Sequence, residues 1–140
     1  FGPSREGYES VTWLSHLSLV MITDISAFWG LIMTPITDYA EPAARCAHFL
    51  ADPAITNTFR ARTYQAAEEE TDTLVALDIA FHDFKIIFTA TSVVFYIDDV
   101  VVATHVTQIP NAQMVTEYLM RTEAAAAKTM QIQNLSVEIS

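Results

Sequence analysis

The sequence predicts an all-β protein, an antiparallel sandwich of two sheets. Through most of the chain, apolar residues alternate with other residues at a period of two, as in strands that bury one face. About nine or ten such runs follow at intervals of about eight to twelve residues, separated by turn residues. No run has a convincing helical pattern. Short strands at this spacing are typical of β-sandwiches.

The clearest pattern lies in residues 81–107, which predict three strands joined by two tight turns. Phe84, Ile86 and Phe88 share one face of the first strand. The second and third strands are rich in β-branched residues, and Asp98-Asp99 separates them by the two residues preferred in hairpins. Such a turn needs positive φ, which Asp tolerates less readily than Gly or Asn. This stretch therefore predicts an antiparallel meander.

The remaining elements are placed around this meander. The polar residues 1–10 predict an N-terminal arm or loop, and the acidic residues 65–72 predict a turn. Residues 108–112 predict a loop, and so do residues 123–128, because six residues are too few for a stable isolated helix. Further strands are predicted over residues 12–22, 27–33, 45–50, 56–64, 73–79, 113–121 and 130–139.

Composition limits the classes of function. The 140 residues suffice for one domain with a substantial core. The net charge of −10 and a total of seven Lys and Arg argue against nucleic acid, whose phosphates need clustered basic groups, and against anionic membranes. Cys46 is a lone cysteine, so no internal disulfide forms. No signal-peptide pattern is visible and the chain opens at Phe1, so we expect a processed form or a fragment.

The segment from Phe81 to Pro110 resembles a known family. An aromatic-His-x-aromatic start precedes a strand, an F-Y-I-D hairpin, the sequence V-A-T-H and a short loop with proline. This order is similar to the second half of concanavalin A-like (laminin G-like) jelly rolls, which include legume lectins and family 16 glucanases. It differs at Asp99, where the family has Gly. The matching residues are Phe81, His82, Phe84, Phe95, Tyr96, Ile97, Asp98, Val102, Ala103, Thr104, His105, Ile109 and Pro110.

The resemblance implies a jelly-roll sandwich over residues 11–140, in which we expect the first strands to be missing. Residues 128–132 resemble the last strand of the same module. The threonine-rich meander also resembles modules on the virions of tailed phages. The superfamily serves catalysis, sugar binding and architecture, so the resemblance predicts the fold more closely than the function.

Catalysis is the first alternative to weigh. Family 16 glucanases carry Glu-x-Asp-x-Glu, or the same with one residue more, on one strand, and retaining hydrolysis needs two carboxyl groups about 5 Å apart. Only Glu70-Thr71-Asp72 begins to fit, because Leu74 and Val75 stand where the last Glu is needed. The contiguous Glu68-Glu69-Glu70 is predicted to be a solvated loop. We therefore expect no enzyme, with a degenerate family 16-type hydrolase as an alternative.

Carbohydrate binding is the second alternative. A lectin-like site uses an aromatic platform flanked by planar hydrogen-bond donors. A structural interpretation stays open, in which the aromatic residues pack in or beside the core and the arginines pair with nearby Glu on an exposed strand face. The candidate binding residues are Trp29, Arg60, Arg62, Tyr64, Tyr118 and Arg121.

Metal ligation and thiol chemistry have weaker support. The four histidines lack the short spacings that place two ligands on one metal, and His82 and His105 occupy family positions that look structural. Asp98 and Asp99 are adjacent at a hairpin tip, and Asp72 and Asp78 are separate from them, so a calcium site stays open but has no support from the sequence. Cys46 lies in an apolar stretch, where cysteines are usually buried and inert. We predict no metal and no cofactor.

The sequence as a whole predicts a non-catalytic sandwich that serves as a structural or adhesive surface module of a larger extracellular or virion assembly. Because an incomplete jelly roll leaves a sheet edge open, we expect homo-oligomeric contacts through the strand near residues 12–22 or through residues 1–10. Expected partners are other chains of the assembly and, in the lectin alternative, glycans. The expected location is extracellular or on the virion surface.

Overall fold

The computed structural model describes residues 10–33, 45–111, 114–122 and 127–140. The predicted arm, residues 1–10, lies outside these ranges except for Ser10. The described residues form strands and no helix, so the prediction of an all-β fold is confirmed, and no span able to cross a membrane as a helix occurs among them. The strands are β1 (Ser10–Leu19), β2 (Ile25–Ile32), β3 (Cys46–Ala51), β4 (Thr58–Tyr64), β5 (Glu68–Ala76), β6 (His82–Thr89), β7 (Val93–Ile97), β8 (Val100–His105), β9 (Val115–Thr122) and β10 (Met130–Ile139).

The strands pair antiparallel in two five-stranded sheets. Sheet A has the order β10-β1-β6-β7-β8, and sheet B has the order β5-β4-β3-β2-β9. The chain passes between the sheets after β1, β5, β8 and β9, which gives the two-sheet jelly-roll sandwich that the resemblance implies.

The prediction of an open edge near residues 12–22 is wrong, whereas the alternative location, residues 1–10, lies outside the described ranges except for Ser10. The strand expected near residues 12–22 is β1, which pairs with β10 on one side and with β6 on the other. Its backbone hydrogen-bonding groups are therefore used within sheet A, and it offers no edge to another chain. The strands at the sheet edges are β10 and β8 in sheet A, and β5 and β9 in sheet B.

Sheet A follows the alternation that the sequence predicts. In β6 and β7, Phe84, Ile86 and Phe95 are buried while their neighbours along the strand are only partly buried. The predicted meander is confirmed as β6, β7 and β8. Asp98 and Asp99 form the turn between β7 and β8 with φ of 50° and 65°, so Asp99 adopts a positive φ at the one position where the resembled family usually has Gly.

The core lies between the two sheets and is rich in aromatic rings. The Trp29 ring of β2 lies 4.9 Å from the Phe84 ring of β6, edge to face at 72°. Phe49 of β3 lies 5.0 Å from Phe84 and 5.2 Å from Phe95 of β7, again edge to face. Edge-to-face pairs add about 0.5–1.5 kcal/mol to the stability that burial provides. These contacts connect sheet B to sheet A.

Sheet B differs because it is buried on both faces at its centre. All eight residues of β2 and all six of β3 are buried. Gly30 of β2 has φ of +145°, and a Cβ there would lie 2.6 Å from the Ala47 carbonyl oxygen and 2.8 Å from the His48 Cα. Only Gly fits this approach of β2 to β3, because the crowding atoms belong to the backbone.

The predicted turn over residues 65–72 is also wrong. The turn comprises residues 65–67, and β5 begins at Glu68 and continues to Ala76. Acidic residues have a low intrinsic preference for strands. Here they face basic residues across the pair, because Arg60 stands opposite Asp72, and Arg62 stands opposite Glu70. Cross-strand charge pairing of this kind overrides the local preference.

Candidate functional site

The candidate site lies on the outer face of sheet B, the face turned away from sheet A. Trp29, Phe49 and Phe59 point into the core between the sheets, so the residues that alternate with them point outward. We define the charged row as the five charged residues that β4 and β5 place on this outer face: Arg60, Arg62, Glu68, Glu70 and Asp72.

The charged row is held together by ion pairs that run diagonally between the strands. Arg60 pairs with Glu70, and the Arg62 Nη2 atom lies 2.7 Å from a Glu68 carboxylate oxygen. The Arg62 side chain is only 3 % exposed, whereas the Glu68 side chain is 43 % exposed. A buried guanidinium needs a counter-charge, since removing one partner of a buried pair is strongly destabilising. The row is therefore buried on its arginine side and open to solvent on its carboxylate side.

Asp72 ends the row at the open side. The hydrogen bond from the Thr58 side chain, together with one from the Leu74 backbone N–H at 2.8 Å, holds the pKa of this carboxyl below its ordinary value. Leu74 itself is 83 % exposed and has φ of 62°. Asp72 therefore stays ionised, which suits a hydrogen-bond acceptor and not a proton donor.

His48 of β3 lies beside the arginines on the same face. It is fully buried, and its ring stacks on Phe28 with ring centroids 4.8 Å apart. Within the described ranges neither ring nitrogen has a hydrogen-bond partner. Burial, reinforced by the charges of Arg62 and Arg60, lowers the pKa of His48 to about 3. His48 is therefore a neutral, apolar-like packing residue at physiological pH.

The structure divides the predicted binding residues between the two faces of sheet B. Arg60 and Arg62 belong to the charged row, and the partly exposed Tyr64 continues their outward side of β4. Arg121 lies at the exposed end of β9, opposite Ser26 of β2. Four of the six residues thus share the outer face.

The other two residues point the opposite way. Trp29 is fully buried in the core, and Tyr118 pairs with it on the inner side of β9. The Tyr118 hydroxyl donates a hydrogen bond to the Ser15 oxygen at 2.8 Å, and burial raises its pKa. These two residues pack in and beside the core, as in the structural interpretation, so an aromatic platform that includes them is wrong.

The carboxylates of the row also bear on the catalytic alternative. β5 places Glu68, Glu70 and Asp72 on one face at every second position, a Glu-x-Glu-x-Asp pattern that the assignment of residues 65–72 to a turn concealed. Glu68 is thus a site residue that the sequence reasoning missed. The signal that could have found it is the matching alternation of Arg60 and Arg62.

The two histidines expected to be structural have partners that suit that role. His105 is hydrogen-bonded to the hydroxyls of Thr63 and Thr71, each at 2.9 Å, which connects β8 to β4 and β5. His82 lies between Asp98 and Asp78, with nitrogen-to-oxygen distances of 2.6 and 2.8 Å. No group of three His, Cys, Asp or Glu suited to a metal ion occurs in the parts of the chain that the structure describes.

Comparison with known proteins places the fold. No protein-family model matches the chain, and no curated protein matches its sequence. Among solved structures, a glycoside hydrolase family protein from Mycobacterium thermorestibile matches with a TM-score of 0.66 and 16 % identity, over 91 % of this chain and 62 % of that one. The chain therefore spans less than two thirds of that hydrolase.

Two further solved structures extend this comparison. The β-glucanase of Bacillus licheniformis matches with a TM-score of 0.65 and 14 % identity, over 95 % of this chain and 67 % of that one. The carbohydrate-binding module CBM66 of Bacillus subtilis matches with a TM-score of 0.59 and 14 % identity, over 93 % of this chain and 75 % of that one. At such identities the similarity shows the fold alone, and that fold agrees with the concanavalin A-like jelly roll that the sequence resembles.

Proposed function

We propose that this chain is a non-catalytic carbohydrate-binding module that holds a glycan against the open side of the charged row. The observation that carries the proposal is the charged row itself. Its buried guanidinium groups hold partly exposed carboxylates in place on the edge strand β5. A carboxylate fixed in this way accepts hydrogen bonds from adjacent sugar hydroxyls at little cost in side-chain entropy.

Tyr64 supplies the aromatic part of the same surface. It lies at the end of β4, two positions beyond Arg62 on the same face and opposite Glu68. Tyr64 is partly exposed. In this proposal, the apolar C–H face of a sugar stacks on the exposed part of its ring while the hydroxyl forms a hydrogen bond with the sugar. The similar glycoside hydrolases and carbohydrate-binding module support this class of ligand over the virion role expected from the sequence.

The absence of catalysis is part of the proposal. A retaining or inverting hydrolase needs one carboxyl whose pKa is raised so that it can donate a proton. In the charged row, Glu68 and Glu70 are each engaged by a guanidinium, and the hydrogen bond from Thr58 lowers the pKa of Asp72. These contacts support binding rather than proton transfer.

The experiment is a glycan array followed by affinity electrophoresis in soluble neutral polysaccharides. We expect one class of polysaccharide to retard the protein, and Tyr64→Ala to weaken this binding about tenfold because stacking area is lost. Tyr96→Ala is the matched control, since Tyr96 is a partly buried tyrosine on the outer face of sheet A. Equal effects of the two substitutions, or no binding at all, would contradict the proposal. Release of reducing sugar that Glu70→Gln abolishes would instead favour the hydrolase alternative.

A structural or adhesive role is the second candidate, and β10 favours it. This edge strand is ten residues long and exposes more than two fifths of Ile132, Leu135 and Ile139. Long edge strands with exposed apolar side chains invite pairing with another chain. The homo-oligomer and the extracellular or virion location stay predictions, and a well-behaved monomer in size-exclusion chromatography at high concentration would count against the first.

A further inference from the structure

One cavity lies away from the charged row, at the end of the sandwich where β1 turns into β2 and β3 turns into β4. Its volume is about 370 Å³, close to the lower limit of about 300 Å³ for small-molecule sites. It therefore has room for one ring-sized ligand. The lining residues are Ile22, Thr23, Asp24, Ile25, Pro53, Ala54 and Asn57.

The wall contributed by the turn after β3 is fixed by hydrogen bonds. The buried Asp52 carboxylate accepts hydrogen bonds from the Ala54 N–H at 3.0 Å and from the Ser26 hydroxyl at 3.1 Å. The Asp52 carbonyl oxygen accepts two more, from the N–H groups of Ile55 and Thr56. This wall is thus formed before any ligand arrives, which limits the entropy lost on binding.

The far side of the same turn is also fixed. The Asn57 carbonyl oxygen accepts a hydrogen bond of 2.8 Å from the Leu77 N–H, which attaches the turn to the segment after β5. Across the cavity, Asp24 has φ of 51°, an uncommon conformation for a residue other than Gly. Strained backbone of this kind recurs at ligand sites, where the surrounding structure maintains it.

The lining combines an apolar floor with a polar rim. Ile25 is buried and Ile22 packs against the core, so these two residues form a floor that a ligand would not displace. Thr23, Asp24 and Asn57 are exposed at the rim. The side chains of these three residues make no hydrogen bond within the described ranges, so a hydroxyl, a carboxylate and an amide are available together.

We propose that this cavity binds a single uncharged sugar ring, whose C–H face rests on the isoleucine floor while its hydroxyls bond to Asp24 and Asn57. The Asp24 carboxylate and the net charge of −10 disfavour acidic sugars by like-charge repulsion. The ligand class rests on the proposed function, but the site is separate from the charged row because no residue is common to both.

The experiment follows backbone amide resonances during titration with methyl glycosides of glucose, galactose and mannose, with glucuronate as the charged comparison. We expect at least one neutral glycoside to shift the amides of Ile22, Thr23 and Asn57 in a saturable way, and glucuronate to have no effect. Asn57→Ala should weaken this binding at least tenfold. Thr91→Ala is the control, because Thr91 is an exposed turn residue between β6 and β7 at the opposite end of the sandwich.

Tyr64→Ala separates this inference from the proposed function. It should weaken the retardation by polysaccharide about tenfold and leave the cavity shifts unchanged. Saturable cavity shifts without any polysaccharide binding would support the cavity site and contradict the function proposed for the charged row. Polysaccharide binding without cavity shifts, or shifts that Asn57→Ala leaves unchanged, would overturn the cavity site alone.

Discussion

The two sheets of this sandwich differ in how many of their faces are buried. Sheet A buries one face against the core, and its outer face carries partly exposed residues such as Thr12 and Val94. Sheet B buries both faces at β2 and β3. On its outer face, Arg60 is only 8 % exposed and Arg62 only 2 % exposed. A sheet buried on one face needs only alternation, whereas one buried on both faces must also accommodate polar side chains, either by pairing a charge, as Arg62 does with Glu68, or by keeping the group neutral, as with His48.

Two histidines, one in each sheet, illustrate this difference through their pKa values. His82, at the start of β6 in sheet A, lies between two carboxylates that are about half exposed. Burial alone would lower the pKa of His82, but the hydrogen bonds with Asp98 and Asp78 raise this pKa above its ordinary value. His48 on sheet B has no such partner, and burial lowers its pKa to about 3. The pKa of the same kind of side chain is thus raised in one sheet and lowered in the other.

The largest effect is expected where β2 and β3 approach each other. Gly30→Val should destabilise the protein by about 5 kcal/mol or prevent folding, because its side chain would collide with the backbone of β3 and because φ there is positive. Thr12→Val, on the outer face of sheet A, is the control and should change stability by less than about 1 kcal/mol. Urea unfolding followed by circular dichroism measures both. A Gly30→Val protein as stable as the control would refute the close approach.

The next effect compares the two outer faces directly. Phe28→Ala should lower the free energy of unfolding by about 3–5 kcal/mol, since Phe28 is only 2 % exposed on the outer face of sheet B. Val94→Ala, on the outer face of sheet A, should cost about 1 kcal/mol or less. Chemical denaturation at one pH gives both values. Similar losses would mean that the outer face of sheet B is no more buried than that of sheet A.

The smallest effect, taken per pH unit, is a pH dependence of stability that has opposite sign for the two histidines. The folded pKa of His48 is depressed, so its contribution to stability is complete above pH 6.5 and is lost as pH falls toward about 3. The folded pKa of His82 is raised, so its contribution is complete below pH 6.5 and is lost as pH rises through the folded value. Each slope is limited to about 1.4 kcal/mol per pH unit, and solvent screening reduces that of His82.

Urea unfolding at a series of pH values tests these slopes. His48→Leu should flatten the acidic side of the stability profile, and His82→Gln should flatten the alkaline side. The comparison uses slopes rather than absolute stabilities, so a packing loss in either variant does not disturb it. A His48→Leu profile parallel to that of the parent protein below pH 6.5 would show that His48 titrates normally in the folded state.

Local pattern predicted much of this fold. Alternation identified β6, because a strand buried on one face carries apolar residues at every second position. β-Branched and aromatic composition identified β7 and β8, and the Asp98-Asp99 spacing identified the hairpin between them. The same reasoning failed for β5, where Glu68 and Glu70 look like a solvated turn. Their strand conformation depends on Arg62 and Arg60 across the pair, which no local window contains.

The sequence by itself therefore determined the fold class, the meander and the candidate residues of β4, since each depends on contacts within one strand or one turn. Only the tertiary structure decided which face each candidate occupies. Trp29 and Arg62 belong to the same sheet, yet Trp29 lies in the core, whereas Arg62 pairs with Glu68 in the charged row. In a sheet buried on both faces, apolar and polar residues no longer mark inside and outside, so the direction of a side chain follows from register and from the opposite sheet.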